Sequence, residues 1–360
     1  MGTVHNASRS TETFYRDRST YFGDLLRSRR TFAPPCGWRG LGEDSLTYAG
    51  AGVDVAESEA ATVALVSNLA GAAGDYAGLV DVGDSYLGLT TDGVGTKLLV
   101  AAAVDDHSTI GVDCMAMNVN DLVAAGVEPL AFVDYLAVEA PDEATSAEIG
   151  KGLAAGAERA GVSLVGGETA VMPEVVMGLD LAGAAVGVAG ADDLLDGTPD
   201  PGDRLVGIRS SGIHSNGLTL AREAVTRDGD YDDPFPPDPD RTVGEALLEP
   251  TAIYTDLLGP ARKHATTAAH VTGGGWTNLE RMGDRRYVID DPFEPQPVFE
   301  YVQDRGSVAI KEMYETFNMG TGFVLTAPDG RAETLANAVD GRVIGRVEEG
   351  AGVSVAGVEL

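Results

Sequence analysis

The chain has 360 residues, long enough for two domains of ordinary size, each with a full hydrophobic core. It carries 56 acids against 25 bases, a formal net charge of −31 that makes nucleic acid and anionic membranes poor partners. Two cysteines, Cys36 and Cys114, exclude a disulfide framework and a paired-thiolate metal motif, and they suit a reducing cytoplasm.

Hydrophobic residues make up 44% of the chain in strong patterns, which excludes an acidic disordered protein. No apolar run reaches membrane-span length, so a soluble protein is expected. Only four of the bases are lysines: Lys97, Lys151, Lys263 and Lys311. Such acidity on a sequence patterned as a folded enzyme points to life in concentrated salt, where self-repulsion is screened. Residues 1–40 differ, with seven arginines (Arg9, Arg16, Arg18, Arg27, Arg29, Arg30, Arg39) against three acids. That composition is the one of an organelle transit peptide, which a salt-adapted body argues against. Residues 1–42 are read instead as a disordered extension, or as upstream sequence translated from a misassigned start.

Segment 46–55 is Gly-rich and extended and ends at Asp54; a helix-like Ala/Val/Leu stretch follows through Ala70. Residues 81–90 read as a strand that leads into 91–97, Thr-Asp-Gly-Val-Gly-Thr-Lys, and the apolar run 98–103 beyond reads as a helix. A carboxylate, two glycines, a hydroxyl and a lysine at a strand-to-helix turn can together hold a metal-bound polyphosphate. Asp92 offers the hard oxygens that Mg²⁺ takes, Gly93 and Gly95 let backbone N–H groups approach, and the helix start favours negative charge. The spacing is not that of a Walker A loop. Taken alone, a glycine-rich turn with a capping aspartate accounts for the segment equally well.

Residues 110–123 hold Asp113, Asn118, Asn120 and Asp121 among apolar residues at helical spacing. Polar groups there are costly unless they bind something, although capping or a satisfied core role is the alternative. An apolar strand at 130–138, an amphipathic helix at 143–159 and a short buried strand at 162–165 follow. The last runs into Gly166-Gly167-Glu168-Thr169-Ala170, read as a strand-end turn with one carboxylate. The alternation argues an α/β domain with ligands at strand ends.

The second half opens with a strand at 204–210 and the turn Ser211-Gly212-Ile213-His214-Ser215-Asn216-Gly217, which caps a helix through Arg227. Residues 227–242 are read as an exposed loop and 245–263 as one long helix. His270-Val-Thr-Gly-Gly-Gly-Trp276 gives a strand, three glycines and a helix start; three consecutive glycines suit a backbone anion nest. Strand 323–326, helix 331–339 and strands 343–347 and 353–358 complete an α+β domain. Gly-x-Ser-x-Gly, His-x-x-x-His and G-x-G-x-x-G are all absent, which disfavours a serine hydrolase, a zinc enzyme and a dinucleotide enzyme. Scattered carboxylates with glycine nests suit Mg²⁺–ATP.

The ordered set 91–98, 118–122, 166–170 with Met172-Pro173, 210–217, 270–275 and 312–320 resembles the phosphoribosylformylglycinamidine cyclo-ligase (aminoimidazole ribonucleotide synthetase) family from about Leu46 to the C-terminus. Single pieces recur in related ATP-using families: selenophosphate synthetase, hydrogenase maturation factor, thiamine-phosphate kinase and formylglycinamidine ribonucleotide synthetase. Against the first two stand the lack of a reactive cysteine in context at Cys36 and the ending Gly357-Val-Glu-Leu360. Against a catalytically dead assembly protein stands the retention of all three turn carboxylates. The resemblance implies an α/β domain at 43–195, an α+β domain at 196–360, and a homodimer whose N-terminal domains meet in a β-barrel. It implies ATP-dependent closure of formylglycinamidine ribonucleotide to aminoimidazole ribonucleotide in purine biosynthesis, with Mg²⁺ as cofactor and K⁺ as a candidate second ion. In the matched positions Asp92, Asp121 and Glu168 would hold Mg²⁺ and Lys97 phosphate. Gly50, Gly52 and Asp54 would close over the nucleotide with Gly93, Gly95 and Thr96, while Thr272, Gly273, Gly274 and Gly275 would hold phosphate. His214 and His270 would act as acid–base or orienting groups, each with a structural turn role as the alternative. Asn216, Asn318 and Thr169 would be polar substrate contacts. One departure stands out: Ala49-Gly50 replaces the polar pair that follows the family tyrosine matched by Tyr48, so a lysine–phosphate contact is missing.

Overall fold

Two mixed sheets carry the segments singled out above, in a computed structural model that describes residues 45–53, 61–62 and 76–360. All of these fall in one unit, Glu43–Leu360. The first sheet is built from β1 (Gly78–Asp81), β2 (Tyr86–Gly93), β3 (Glu128–Val138), β4 (Ser163–Val171) and β5 (Leu179–Ala189), in the order β1-β2-β5-β3-β4. All neighbours are antiparallel except β3 and β4. Helices α1 (Lys97–Val104), α2 (Ile110–Ala124) and α3 (Glu143–Ala160) connect them, and α2 packs on β2, β3 and β5. Helix α3 starts where the Asp142 side chain accepts from the Thr145 N–H at 2.7 Å and stops at Gly161 in the left-handed region.

Alternation in β5 explains the two faces of this sheet. Leu181, Ala185 and Ala189 are buried under α2, whereas Ala182, Ala184 and Val186 face the other way. On that open face Leu89, Val133 and Tyr135 are between 41% and 48% exposed, so large apolar side chains of β2 and β3, the strands on either side of β5, meet water together.

The second sheet has the order β14-β13-β10-β12-β6-β11-β9. Its strands are β6 (Arg204–Arg209), β9 (Thr267–His270), β10 (Arg286–Ile289), β11 (Thr321–Ala327), β12 (Arg342–Glu348), β13 (Gly352–Val355) and β14 (Val358–Glu359). Helices α4 (Leu218–Thr226), α5 (Val243–Leu247), α6 (Leu258–His264), α7 (Pro297–Gly306), α8 (Ile310–Thr316) and α9 (Asp329–Ala338) belong to the same half. One apolar core runs from Val94 and Leu98 beside the first sheet to Trp276, Phe299 and Phe317 in the second half. The α/β plus α+β architecture is therefore as expected.

Three local expectations are corrected. The segment 245–263 is not one helix but α5 and α6 with irregular chain between them. Pro250 lacks an N–H and restricts Glu249 before it, which breaks the run. Residues 227–242 contain a two-strand pair, β7 (Pro234–Phe235) with β8 (Asp238–Thr242). Strand β4 runs straight through Gly166–Gly167 to Val171, so Glu168 and Thr169 lie within an exposed edge strand rather than a buried strand end.

Candidate active site

Asp92 is the next-to-last residue of β2, on the side of the sheet that α2 covers, and pairs in register with Gly183. Asn118 of α2 fixes it by donating Nδ2–H to the Asp92 carbonyl at 3.2 Å and to the Cys114 carbonyl at 2.9 Å. The Asp92 carboxylate accepts the Gly93 N–H at 2.7 Å. Burial, and then the charge of Asp121, push its pKa up to about 6, against weaker opposing pulls from Gly93, His270 and Arg281. Two carboxylates thus face one site.

Asp121 is the one polar residue of the 118–121 set whose side chain reaches out of the core. Its Oδ1 lies 2.8 Å from Nδ1 of His270, at the end of β9, whose ring is fully buried. The other ring nitrogen faces Asn120 Nδ2 at 3.4 Å. An amide nitrogen can only donate, so Nε2 accepts and Nδ1 carries the proton toward Asp121. Asn120 is itself locked, donating to the Ala252 carbonyl at 2.8 Å and accepting from the Tyr254 N–H at 2.9 Å. His270 therefore aims Asp121.

Beyond His270 the chain enters the glycine loop. Asn278 laces it: its Oδ1 accepts from the N–H of Thr272 at 2.7 Å and its Nδ2 donates to the Gly273 carbonyl at 2.9 Å. Gly275 has φ of +57°, and a side chain there would collide with the Tyr314 carbonyl. The Gly275 N–H is bonded to the Thr272 carbonyl at 2.9 Å, which leaves the N–H groups of Gly273 and Gly274 for an anion. Asn216 stands over this loop, with its Oδ1 in van der Waals reach of a Cβ built on Gly273. Thr96 reaches the same neighbourhood through a 3.0 Å hydroxyl contact with Thr219 on α4. The 45–53 segment joins from the other side: the Tyr48 N–H donates to Glu312 at 2.6 Å, and the Tyr48 hydroxyl meets the Gly217 N–H. Gly50 and Gly52 lie in the turn that follows, with Gly52 at φ of +105°. Asp54 lies outside the described residues.

Other assignments are corrected. Lys97 is fully buried, its ammonium 2.9 Å from Asp113 Oδ1 and 2.7 Å from the Glu249 carbonyl, so it is held away from a phosphate in the cleft. Burial draws its pKa below the ordinary lysine value, against the pull of Asp113. His214 is buried too, with φ of +66°; its Nε2 accepts from the N–H of Ser211 at 3.1 Å and of Ala252 at 3.4 Å. Burial first, then His270 and Lys97, hold its pKa well below the usual histidine value. His270, by contrast, has both ring nitrogens engaged inside the protein, whereas Nδ1 of His214 has no partner among the described residues. Asn318 donates to the carbonyls of Gly212 and Ile213 and accepts from Gly320 N–H, which makes it a buried brace of the 211–217 turn. Glu168 pairs with Tyr135 on the open face of the sheet, three strands from β2, whereas Asp92 points to the opposite face. Within one chain Glu168 cannot join Asp92 and Asp121, and Thr169, beside it on β4, is equally remote.

Arg281 and Tyr76 were not foreseen. The Arg281 guanidinium acts on Asp92 and lies 5.1 Å over the Tyr76 ring. In sequence Glu280-Arg281 looks like an ordinary solvated helix pair, and no signal marks it. Asp113 and Thr251 were also missed as partners; Thr251 donates both N–H and Oγ1–H to the Asp113 oxygen that Lys97 contacts.

Among the described residues no three His, Cys, Asp or Glu side chains converge as a metal cage. The fold and these turns define a class. The sequence profile of the AIR synthase related protein N-terminal domain matches residues 74–189, and that of its C-terminal domain matches residues 200–358. Thiamine monophosphate kinase from Aquifex aeolicus superposes with a TM-score of 0.61 at 19% identity, over 86% of this chain and 99% of that one. The hydrogenase maturation protein HypE of E. coli gives 0.56 at 19% identity, over 76% and 84%. These likenesses concern the fold. Closer in sequence are phosphoribosylformylglycinamidine cyclo-ligases: that of Methanosarcina acetivorans is 44% identical over 322 residues, 86% of this chain and 97% of the relative. That of Thermoplasma acidophilum is 43% identical over 297 residues, 80% and 87% of the two chains. The chain belongs to the phosphoribosylformylglycinamidine cyclo-ligase family.

Proposed function

We infer that the protein closes the imidazole ring of aminoimidazole ribonucleotide from formylglycinamidine ribonucleotide, using ATP. The formyl amide oxygen is a poor leaving group until it takes the terminal phosphoryl group of ATP. The amidine nitrogen then attacks the activated carbon, phosphate departs and ADP is released. The observation that carries the reading is the pair Asp92 and Asp121, set beside the Thr272–Gly275 loop, in a chain with this family's motifs. Asp92 and Asp121 would hold Mg²⁺, which supplies charge neutralisation on the polyphosphate when bound. Gly93, Gly95, Thr96, Gly273 and Gly274 would meet phosphate oxygens, Gly50 and Gly52 would cover the nucleotide, and Asn216 would contact substrate. His270 would keep Asp121 aimed. Among the described residues no helix is long and apolar enough to cross a membrane, and a cytoplasmic setting accords with this chemistry.

We assign the open apolar face of the first sheet to a second copy of the chain, with Glu168 on that interface. On this reading residues 43–195 are the dimerising domain and 196–360 its companion. Any contribution of Glu168 to a metal site comes across the interface.

The test is product formation from formylglycinamidine ribonucleotide, ATP, Mg²⁺ and K⁺ in concentrated KCl, with wild type and Asp92→Asn side by side. Wild type should turn over, and Asp92→Asn should fall on the order of 10³-fold, as expected when about 4 kcal/mol of transition-state charge stabilisation is lost. Equal rates would remove Asp92 from the centre of the reaction. No product from folded wild type would sink the assignment and turn attention to the substrates of the related ATP-using families.

A further inference from the structure

A cavity of about 290 Å³ lies where the end of α1, the turn joining it to α2, the end of β3 and the first turns of α3 meet. Leu136 and Val138 line it from β3, and their partners on β5 are Leu181 and Leu179. Leu181 is buried under α2, so the cavity lies on the helix-covered side of the first sheet, opposite the face assigned above to a second copy. Ala102 lines it from α1, about 7 Å of helix beyond Lys97, and no residue of the candidate active site belongs to its wall.

One buried side chain gives the cavity its chemistry. His107, in the turn between α1 and α2, is 5% exposed and lines it. The main-chain N–H of His107 donates to Glu148 at 3.1 Å, but the ring Nε2 has no partner among the described residues. Buried polar atoms are nearly always paired, so an unpaired one on a cavity wall points to a group supplied from outside the chain.

The rest of the wall selects that group. Glu139 and Asp142 line the cavity, and no lysine or arginine does. Both carboxylates are set by backbone donors: Glu139 accepts from the Gly178 N–H at 2.9 Å, and Asp142 from the Thr145 N–H at 2.7 Å. The first turn of α3 is thereby capped by the chain's own carboxylate, which together with Glu139 turns an anion away. Leu136, Val138, Ile149 and Leu179 make the remaining wall aliphatic. A dry cavity of roughly 150 Å³ holds one benzene ring. The larger volume here admits a ring with a short arm.

We propose that this cavity binds a small organic cation, a protonated amine carried on a single ring or a short hydrocarbon chain. Its apolar body lies on Leu136, Val138, Ile149 and Leu179, and its N–H groups meet Glu139, Asp142 and the His107 ring. The apolar wall supplies affinity, and the carboxylates select the sign of the charge. The site is independent of the ring-closing reading and stands or falls without ATP.

Benzylamine is the probe, with benzyl alcohol and benzoate as neutral and anionic matches of the same ring. Calorimetric titration of wild type should show benzylamine binding about tenfold more tightly than benzyl alcohol, and benzoate not at all. Nitrogen-15 correlation spectra should show the His107 imidazole resonances move as benzylamine is added. Ala102→Leu, at an exposed helix position that tolerates leucine, narrows the cavity and should weaken benzylamine and benzyl alcohol alike, by about tenfold. Glu139→Gln with Asp142→Asn removes both charges while asparagine still caps α3, and should bring benzylamine down to the level of benzyl alcohol. No benzylamine binding to folded wild type would overturn the proposal. So would binding that Ala102→Leu leaves unchanged while the His107 resonances stay still, which would place the amine elsewhere. Benzoate bound as tightly as benzylamine would overturn the chemical class. The imidazole shift is read on wild type and decides the matter should a variant fail to fold.

Discussion

Asp92 and Lys97 stand five residues apart at one turn, and the fold sends them into opposite electrostatic situations. Lys97 points into the core, where Asp113, Thr251 and the Glu249 carbonyl surround it, and none of the ion pair is exposed. Asp92 points toward a second carboxylate, and burial, then the charge of Asp121, push its pKa up to about 6. The first arrangement is closed: a buried charge pair in which one Asp113 oxygen takes the ammonium and both Thr251 donors, while the other oxygen has no partner among the described residues. The second is open: a carboxylate beside another carboxylate, with His270 and Arg281 opposing only part of the upward shift. The contrast teaches that the conserved-looking chemistry of a motif is divided between holding the turn in place and meeting a ligand, and that residual charge tells the two apart.

The sharpest way to break this comparison is to measure stability on both sides of it. Lys97→Met leaves Asp113 buried without its cation, which should cost about 3–5 kcal/mol in denaturant unfolding. Asp92→Asn should do the reverse. The folded pKa of Asp92 lies above its unfolded value, so the native state binds the proton more tightly. Stability then falls as pH rises through the window from about 4 to about 6, and the ionised group burdens the fold at pH 7. Replacing it with the neutral isostere should raise the unliganded protein's stability by about 1–2 kcal/mol at pH 7. The same sign of change in both variants would show that the two ends of the turn do not differ in kind.

Much of this site is legible in sequence because its signals are local. The Gly-rich turn at 91–97 with Asp92 and the triple glycine before Trp276 stand where strand and helix periods change, and Asp121 is a polar residue within an apolar helical run. What was not legible depends on partners and on parity. Nothing in the order of residues says that Lys97 will meet Asp113, because that pairing needs α1, α2 and the chain at Glu249 to converge. Glu168 was lost through strand parity. A register shift between Phe132 and Val133 against β4 leaves Glu168 beside Tyr135 on the open face, and the Gly166–Gly167 pair reads as a turn although the strand continues. His214 sits beside turn residues in sequence, and only the packing of Ser211 and Ala252 against its ring shows it to be an acceptor inside the core.

A smaller effect sharpens the open side of the comparison. If His270 acts by aiming Asp121, His270→Leu should lower kcat/KM by about 10–100-fold, the range typical when a group behind a ligand is lost. His270→Asn keeps an N–H near the Nδ1 position and should recover much of that loss. Mg²⁺ affinity, measured by titration in the presence of ATP, should move in parallel. Recovery by leucine as good as by asparagine would mean that the ring serves packing against Tyr254 and Phe323 and does not orient the carboxylate.

The smallest expected effect concerns the closed side and is read in pH. Native His214 is held neutral, with a pKa well below 6.5, whereas the unfolded chain takes up a proton near 6.5. Above that value neither state is charged and the stability contribution is fully present. Below it the unfolded state alone gains the proton, so stability falls as pH falls, with a limiting slope of about 1.4 kcal/mol per pH unit for one group. Asp92 titrates in an overlapping range with the opposite sign, so the wild-type profile alone does not isolate the histidine. The informative quantity is the difference between wild type and His214→Asn, because asparagine tolerates the positive φ at this position and does not titrate. Unfolding free energies at pH 7.5, 6.5 and 5.5 should show the wild type losing stability relative to the variant on the acid side only. A difference that stays constant across those three values would mean that His214 takes up its proton in the native state as readily as in the unfolded chain, and the core around Lys97 would then be open to water after all.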